Sequence, residues 1–201
     1  ELGGAALGLA QRLGRVILPA EESKRVVRRL ELPEPRVEIG LRLRGVATSA
    51  IDVSDGFAGD LMHILERSGA RARVRYDSLP RDPVFAKLGD PGLERRCVLS
   101  GGDDYELVFT ASALRRRDVE QLARELRLPL ACVGTILSGT PKLEIVDAGG
   151  RALPAPRGEG YREFCALMAD PTFLRSAAGL RLAERHEGHY LGLSAEARGK
   201  I

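Results

Sequence analysis

Two short acidic segments hold most of the side chains in this sequence that could do chemistry. The first is Ile51-Asp52-Val53-Ser54-Asp55-Gly56. Its two carboxylates, three residues apart with a hydroxyl between them, supply oxygen ligands for a hard cation. Magnesium commonly takes one or two protein carboxylates and fills its shell with phosphate oxygens and water. A helix beginning near Phe57 adds free backbone N–H groups, which favour an anion such as phosphate. Carboxylates, hydroxyl and helix start together suit a metal–phosphate ensemble. Asp, Ser and Gly before a helix also serve as ordinary capping residues, and residue type alone leaves both readings open.

The second segment is Ser100-Gly101-Gly102-Asp103-Asp104-Tyr105-Glu106-Leu107. Paired glycines let a backbone turn through positive φ and approach a ligand closely. Three carboxylates within four residues call for water, a cation or a cationic substrate to offset their repulsion; a strand–turn–strand link with solvated acids is the other reading. No GxxxxGK[ST] loop occurs, so P-loop chemistry is excluded. His63 falls within the helix after the first segment and reads as a surface or packing residue. His186 and His189 lie in a polar tail and receive no role. No Ser-His-Asp or Cys-His arrangement emerges from the spacing. Phosphoryl transfer at these turns would therefore rest on positioning and metal electrostatics.

The elements that must position these turns follow from apolar periodicity. Residues 3–18 and 22–30 read as helices, and Pro33 and Pro35 force an extended link after them. Residues 36–44 suit a short amphipathic helix stopped by Gly45. A buried strand runs up to Val53; Phe57, Leu61, Ile64, Leu65 and Ser68 then share a helical face that ends at Gly69. Residues 71–76 alternate as a half-exposed strand, and residues 77–94 read as loop with a helical turn near Phe85. Cys97-Val98-Leu99 reads as a strand, as do residues 105–110. Ser112 caps a helix reaching Leu128, with Leu114, Val119, Leu122 and Leu126 inward. Residues 130–137 form a strand, and residues 143–146 and 151–153 a hairpin about Asp147-Ala148-Gly149-Gly150. Hairpins beside crossovers give an α+β fold, a mixed sheet flanked by helices.

Composition narrows the class. The chain has 201 residues, 44% hydrophobic and only 4% aromatic with no Trp, so Leu, Val, Ile and Ala must build the core. The 31 basic and 28 acidic residues leave a net charge of +3 spread along the chain, unlike the concentrated patch of a nucleic-acid binder. Arg115-Arg116-Arg117 reads as a solvated helix face. Cys97, Cys132 and Cys165 are far apart and odd in number, which fits buried free thiols in a reducing cytoplasm. No apolar run approaches membrane-spanning length and nothing resembles a signal peptide, so neither membrane nor nucleic acid is expected as a partner. The first residue is Glu1 and not Met, which suggests a fragment.

Five pieces of the chain, in order and spacing, resemble thiamine-monophosphate kinase. They are Pro35-Arg36-Val37 ahead of Gly40-Leu41, Ala50-Ile51-Asp52-Val53-Ser54-Asp55-Gly56, and the helix Asp60-Leu61-Met62-His63-Ile64-Leu65-Glu66-Arg67-Ser68-Gly69. The others are Ser100-Gly101-Gly102-Asp103-Asp104-Tyr105-Glu106-Leu107-Val108-Phe109-Thr110 and Gly160-Tyr161-Arg162-Glu163-Phe164. The resemblance covers residues 1–164 and implies the carboxy-terminal domain of the aminoimidazole-ribonucleotide synthetase superfamily, without the amino-terminal ATP-binding domain. Residues 165–201 run past the usual family end as a tail of unknown role. The activity implied is ATP-dependent phosphorylation of thiamine monophosphate to thiamine diphosphate, with Mg2+ required and the fragment alone inactive. Asp52 and Asp55 would be magnesium ligands, Ser54 an ATP contact, and Asp103 and Tyr161 substrate contacts, Asp103 standing where the family usually has Glu. A full-length homodimer in the cytoplasm is implied as well. The alternatives are a sibling enzyme of the superfamily that uses ATP on another acceptor, and a non-catalytic isolated domain.

Overall fold

The structure is a computed structural model that describes residues 1–154. Its organising element is helix α4 (Phe57–Ser68), which begins at Gly56 (φ +118°) and ends at the left-handed Gly69. Phe57, Leu61, Ile64 and Leu65 fall on one face and are buried. Burial of each such side chain is worth roughly 1.5–3 kcal/mol relative to exposure, which outweighs differences in helix propensity. That face lies on strands β2 (Ala70–Arg75) and β5 (Lys142–Val146) and against helix α6 (Pro91–Ser100).

The sheet under α4 is mixed. β2 pairs in parallel with β5 and antiparallel with β4 (Gly134–Ser138), and β5 pairs antiparallel with β6 (Ala152–Leu153), giving the order β4-β2-β5-β6. In β2 the residues Ala72 and Val74 turn to the core while Arg71, Arg73 and Arg75 turn outward, as the alternation requires. A separate antiparallel pair joins β1 (Ala47–Asp52) to β3 (Leu107–Ala111). Ile51 and Val108 of that pair pack on the main core. Leu107 and Phe109 pack on a second cluster with Ile39 and Leu43, from around helix α3 (Val37–Arg42), and Leu122 of helix α7 (Arg116–Glu125). The expected α+β class with a mixed sheet is thus the observed one, and the hairpin closes at Asp147–Arg151 as its turn residues indicate.

Several local expectations change. Cys97-Val98-Leu99 is helical: the Asp90 carboxylate accepts from the N–H of Gly92 and Leu93, Pro91 opens α6, and the three apolar residues are the buried end of that helix. A short apolar run does not distinguish a buried helix turn from a strand. Leu114 is 93% exposed, because residues Ala113–Arg115 form a 3-10 turn that rotates it away from the helix face carrying Leu122. The strand expected from residue 105 starts at Leu107, and that expected from residue 130 starts at Gly134. Cys132 is exposed, Cys97 is buried, and Cys165 lies outside the described residues.

Helices α1 (Gly4–Arg12) and α2 (Ala20–Glu31) pack as a close pair and put Leu7 and Val26 into the main core. A Cβ placed on Gly8 would lie 2.3 Å from the carbonyl oxygen of Val26, so only glycine permits this approach. Gly8→Ala should therefore lower the unfolding free energy by about 1–3 kcal/mol, as over-packing does elsewhere; urea unfolding of the two proteins measures it.

Candidate active site

The two acidic segments meet through their backbones. Val53 N–H donates to the Glu106 carbonyl at 2.8 Å, Tyr105 N–H to the Val53 carbonyl at 2.9 Å, and Asp103 N–H to the Ser54 carbonyl at 2.9 Å. This ladder continues the β1–β3 pairing beyond the regular strands and sets the turn at Ser54-Asp55 against Gly102-Asp103. The glycines make the contact possible. A Cβ on Gly102 would lie 2.2 Å from the Ser54 carbonyl oxygen, and one on Gly56 2.7 Å from the Ser100 carbonyl carbon. Asp103 (φ +66°) and Tyr105 (φ +49°) both adopt the left-handed region, an uncommon choice for residues with a Cβ and one that clusters at functional sites.

Each turn divides its acids between two tasks. In the first, Asp52 and Asp55 are exposed, while Asp60, in the first turn of α4, is buried. One oxygen of Asp60, Oδ2, accepts from the N–H groups of Ser54 at 3.0 Å, Asp55 at 3.1 Å and Gly56 at 3.1 Å. Burial raises the Asp60 carboxyl above its ordinary value even though these donors favour its charged form. The N–H groups just ahead of the helix, expected to be free for phosphate, are thus taken by a side chain of the same chain.

In the second turn Asp103 is half-buried, while Asp104 is buried and faces away from the surface. Asp104 accepts from Gly3 N–H at 2.6 Å and Ala5 N–H at 3.1 Å, which caps the start of α1. The expectation that water, a cation or a cationic substrate offsets the charge of this turn's acids does not hold for Asp104, whose carboxylate is committed to the fold. Glu106 is structural too. Arg36 grips it with Nε at 2.8 Å and Nη2 at 2.9 Å, and Arg29 Nη2 adds a bond at 3.2 Å. Burial alone would raise the Glu106 carboxyl; the Arg36 guanidinium overcomes this and holds it well below the usual carboxylate range. Arg36 of the Pro35-Arg36-Val37 piece thereby fastens the entry to α3 onto the second acidic turn.

Ser54 is half-buried beside Asp55, and His63 faces solvent next to Glu66. Tyr161 lies outside the described residues. The structure thus brings together the segments carrying Asp52, Ser54, Asp55 and Asp103. Sequence reading missed Asp60, Asp104 and Glu106 as organisers of the site. For Asp60 a signal existed in the Ser-Asp-Gly run followed four residues later by an acid at a helix start; for Asp104 no local signal existed, because its partners lie about a hundred residues away. Among the described residues no group of three or more His, Cys, Asp or Glu is assembled that could hold a metal. Two exposed carboxylates and a hydroxyl nonetheless suit a hard cation whose shell is completed by phosphate and water.

No family model matches the chain. The thiamine-monophosphate kinase of Salmonella typhimurium is 37% identical over 148 residues, which are 73% of this chain and 46% of that protein. The chain therefore spans about half the length of the curated relatives it matches. The crystal structure of thiamine-monophosphate kinase from Stenotrophomonas maltophilia is 41% identical and superposes with a TM-score of 0.66 over 76% of this chain and 48% of that one. AaThiL complexed with AMPPCP and TMP shares the fold, with a TM-score of 0.59 at 24% identity over 76% of this chain and 47% of that one. In sequence and in fold this chain resembles thiamine-monophosphate kinases.

Asp104 supplies a pH test. Burial pushes its carboxyl up to about 6, against the pull of the Gly3 and Ala5 N–H groups and Arg29. Its value in the folded chain exceeds the unfolded value of ~3.9, so its contribution is full below that value and is lost as pH rises through about 6. Urea unfolding between pH 4 and 7 should show wild-type stability declining relative to Asp104→Asn, which has no proton to lose. Parallel pH profiles for the two proteins would contradict the assignment.

Proposed function

We propose that this chain is the carboxy-terminal part of a thiamine-monophosphate kinase and that its paired acidic turns hold magnesium-ATP for phosphorylation of thiamine monophosphate to thiamine diphosphate. The observation that carries the reading is the division of acids: Asp60 and Asp104 turn inward on N–H groups, and Asp52 and Asp55 are left exposed. The kinases similar to this chain support the activity, and the AMPPCP complex of a protein with the same fold supports ATP as the phosphoryl donor.

In this reading Asp52 and Asp55 hold Mg2+, Ser54 contacts ATP through its hydroxyl, and Asp103 and Tyr161 contact the substrate. Bound Mg2+ would offset the charge of the two phosphate-bearing reactants and steady the transition state. The acceptor is a phosphate monoester with a second pKa near ~6, so its attacking oxygen is already largely anionic at neutral pH. No general base is needed, and among the described residues no His converges on these turns. Asp103, one methylene shorter than the family's usual Glu, offers a negative group to the cationic thiazolium. The left-handed backbone at Asp103 fixes its direction relative to Ser54.

The remaining assignments belong to the same proposal. Residues 1–164 form the synthetase-like domain and residues 165–201 an extra tail of unknown role. Full-length protein is a cytoplasmic homodimer with no membrane or nucleic-acid partner. Among the described residues no helix is long and apolar enough to cross a membrane. The rest of the cation shell would come from the half of the kinase not represented here, so the 201-residue chain alone should form no detectable thiamine diphosphate.

The test uses the complete gene product with Mg2+, ATP and thiamine monophosphate, with the product identified by mass. Thiamine diphosphate and ADP in equal amounts are expected. Asp52→Asn should cut kcat by at least ~100-fold, the cost of losing one electrostatic contact to a transition state, with the unfolding midpoint essentially unmoved because Asp52 is exposed. ADP without thiamine diphosphate would replace the reading with a sibling enzyme using another acceptor. No ADP would leave a non-catalytic domain.

A further inference from the structure

The first turn has the makings of an anion site. Ser54, Asp55 and Gly56 present three successive N–H groups to one point ahead of a twelve-residue helix, an arrangement that elsewhere binds phosphate. Here the point is filled from within. Asp60 is 2% exposed and its Oδ2 atom takes all three donors at 3.0–3.1 Å. Helical side chains lean toward the amino terminus, which lets an acid in the first turn fold back over the N–H groups preceding it. The helix dipole favours a negative charge at that place. With its backbone donors occupied, the turn has the exposed Asp52 and Asp55 left to offer.

We infer that Asp60 is a positioning residue that occupies the place of a phosphate, so that the turn excludes anions from its backbone and presents Asp52 and Asp55 to a divalent cation. The cation half of this statement rests on the proposed kinase reading; the anion half does not. On this account a phosphate group reaches the turn only through the cation held by the carboxylates. Asp60 would not touch nucleotide or substrate.

The test uses amide NMR of the complete gene product with two probes, inorganic phosphate and Mn2+. In wild type the amide protons of Ser54, Asp55 and Gly56 should resist exchange with solvent, phosphate should leave them unmoved, and Mn2+ should broaden signals around Asp52 and Asp55. Asp60→Ala should open the three amides to exchange and let phosphate shift them, while the Mn2+ needed for equal broadening rises at least tenfold. Asp60→Asn keeps an acceptor oxygen and should need Mn2+ within threefold of wild type. The proposal is overturned if the three wild-type amides exchange freely, or if Asp60→Ala answers both probes as wild type does. Should Asp60→Ala not fold, rapid exchange of the three amides in Asp60→Asn with wild-type Mn2+ broadening would overturn it equally. Wild type that shows no local Mn2+ broadening would remove the metal assignment from the kinase reading, and the exchange and phosphate results would still decide the role of Asp60.

Discussion

The backbone pairing of residues 53–54 with residues 103–106 is the constraint on which the rest of the site depends. Three N–H···O=C bonds hold two turns that lie fifty residues apart in sequence, and Gly56 and Gly102 remove the Cβ atoms that would separate them. The price is conformational: Asp103 and Tyr105 both sit at positive φ, at a cost of the order of 1–3 kcal/mol each. That strain persists because Asp104, between the two, is pinned under α1 and Glu106, just after them, is gripped by Arg36.

A consequence is that much of the acidity in these two motifs serves the fold. Asp104 and Glu106 in the second segment and Asp60 just after the first all end on N–H groups or guanidinium groups of the chain itself. The α1–α2 pair, which gives Leu7 and Val26 to the core, is joined to the second turn through Asp104 at the start of α1 and Arg29 of α2 on Glu106. The exposed carboxylates Asp52 and Asp55 thus stand on a frame braced by their inward neighbours. Such bracing suits proposed chemistry that depends on where charges are held and not on proton transfer.

The amino-acid sequence made some of this legible and hid the rest for identifiable reasons. Helix α4 and strand β2 were plain, because Phe57, Leu61, Ile64 and Leu65 repeat at helical spacing and Ala72 and Val74 alternate with arginines. The end of α6 was misread, because Cys97-Val98-Leu99 is apolar on every side and its helical signal lies upstream at Asp90-Pro91. Leu114 was misplaced because a single 3-10 turn shifts the helical phase. The paired turns were found by residue type, but nothing local separates an outward Asp103 from an inward Asp104. That distinction is made by Gly3 and Ala5, which only the tertiary fold brings near.

The proposed site requires Asp52 and Asp55 to face a divalent cation while Asp60 and Asp104 do not. Crystals of the complete gene product grown with Mn2+ and a nonhydrolysable ATP analogue, measured at the manganese absorption edge, would locate the ion directly. An anomalous peak is expected at bonding distance from a carboxylate oxygen of Asp52 or Asp55, with Asp60 Oδ2 still on the three backbone N–H groups. A peak on Asp60 or Asp104, or manganese bound to the nucleotide with neither Asp52 nor Asp55 as a ligand, would contradict it.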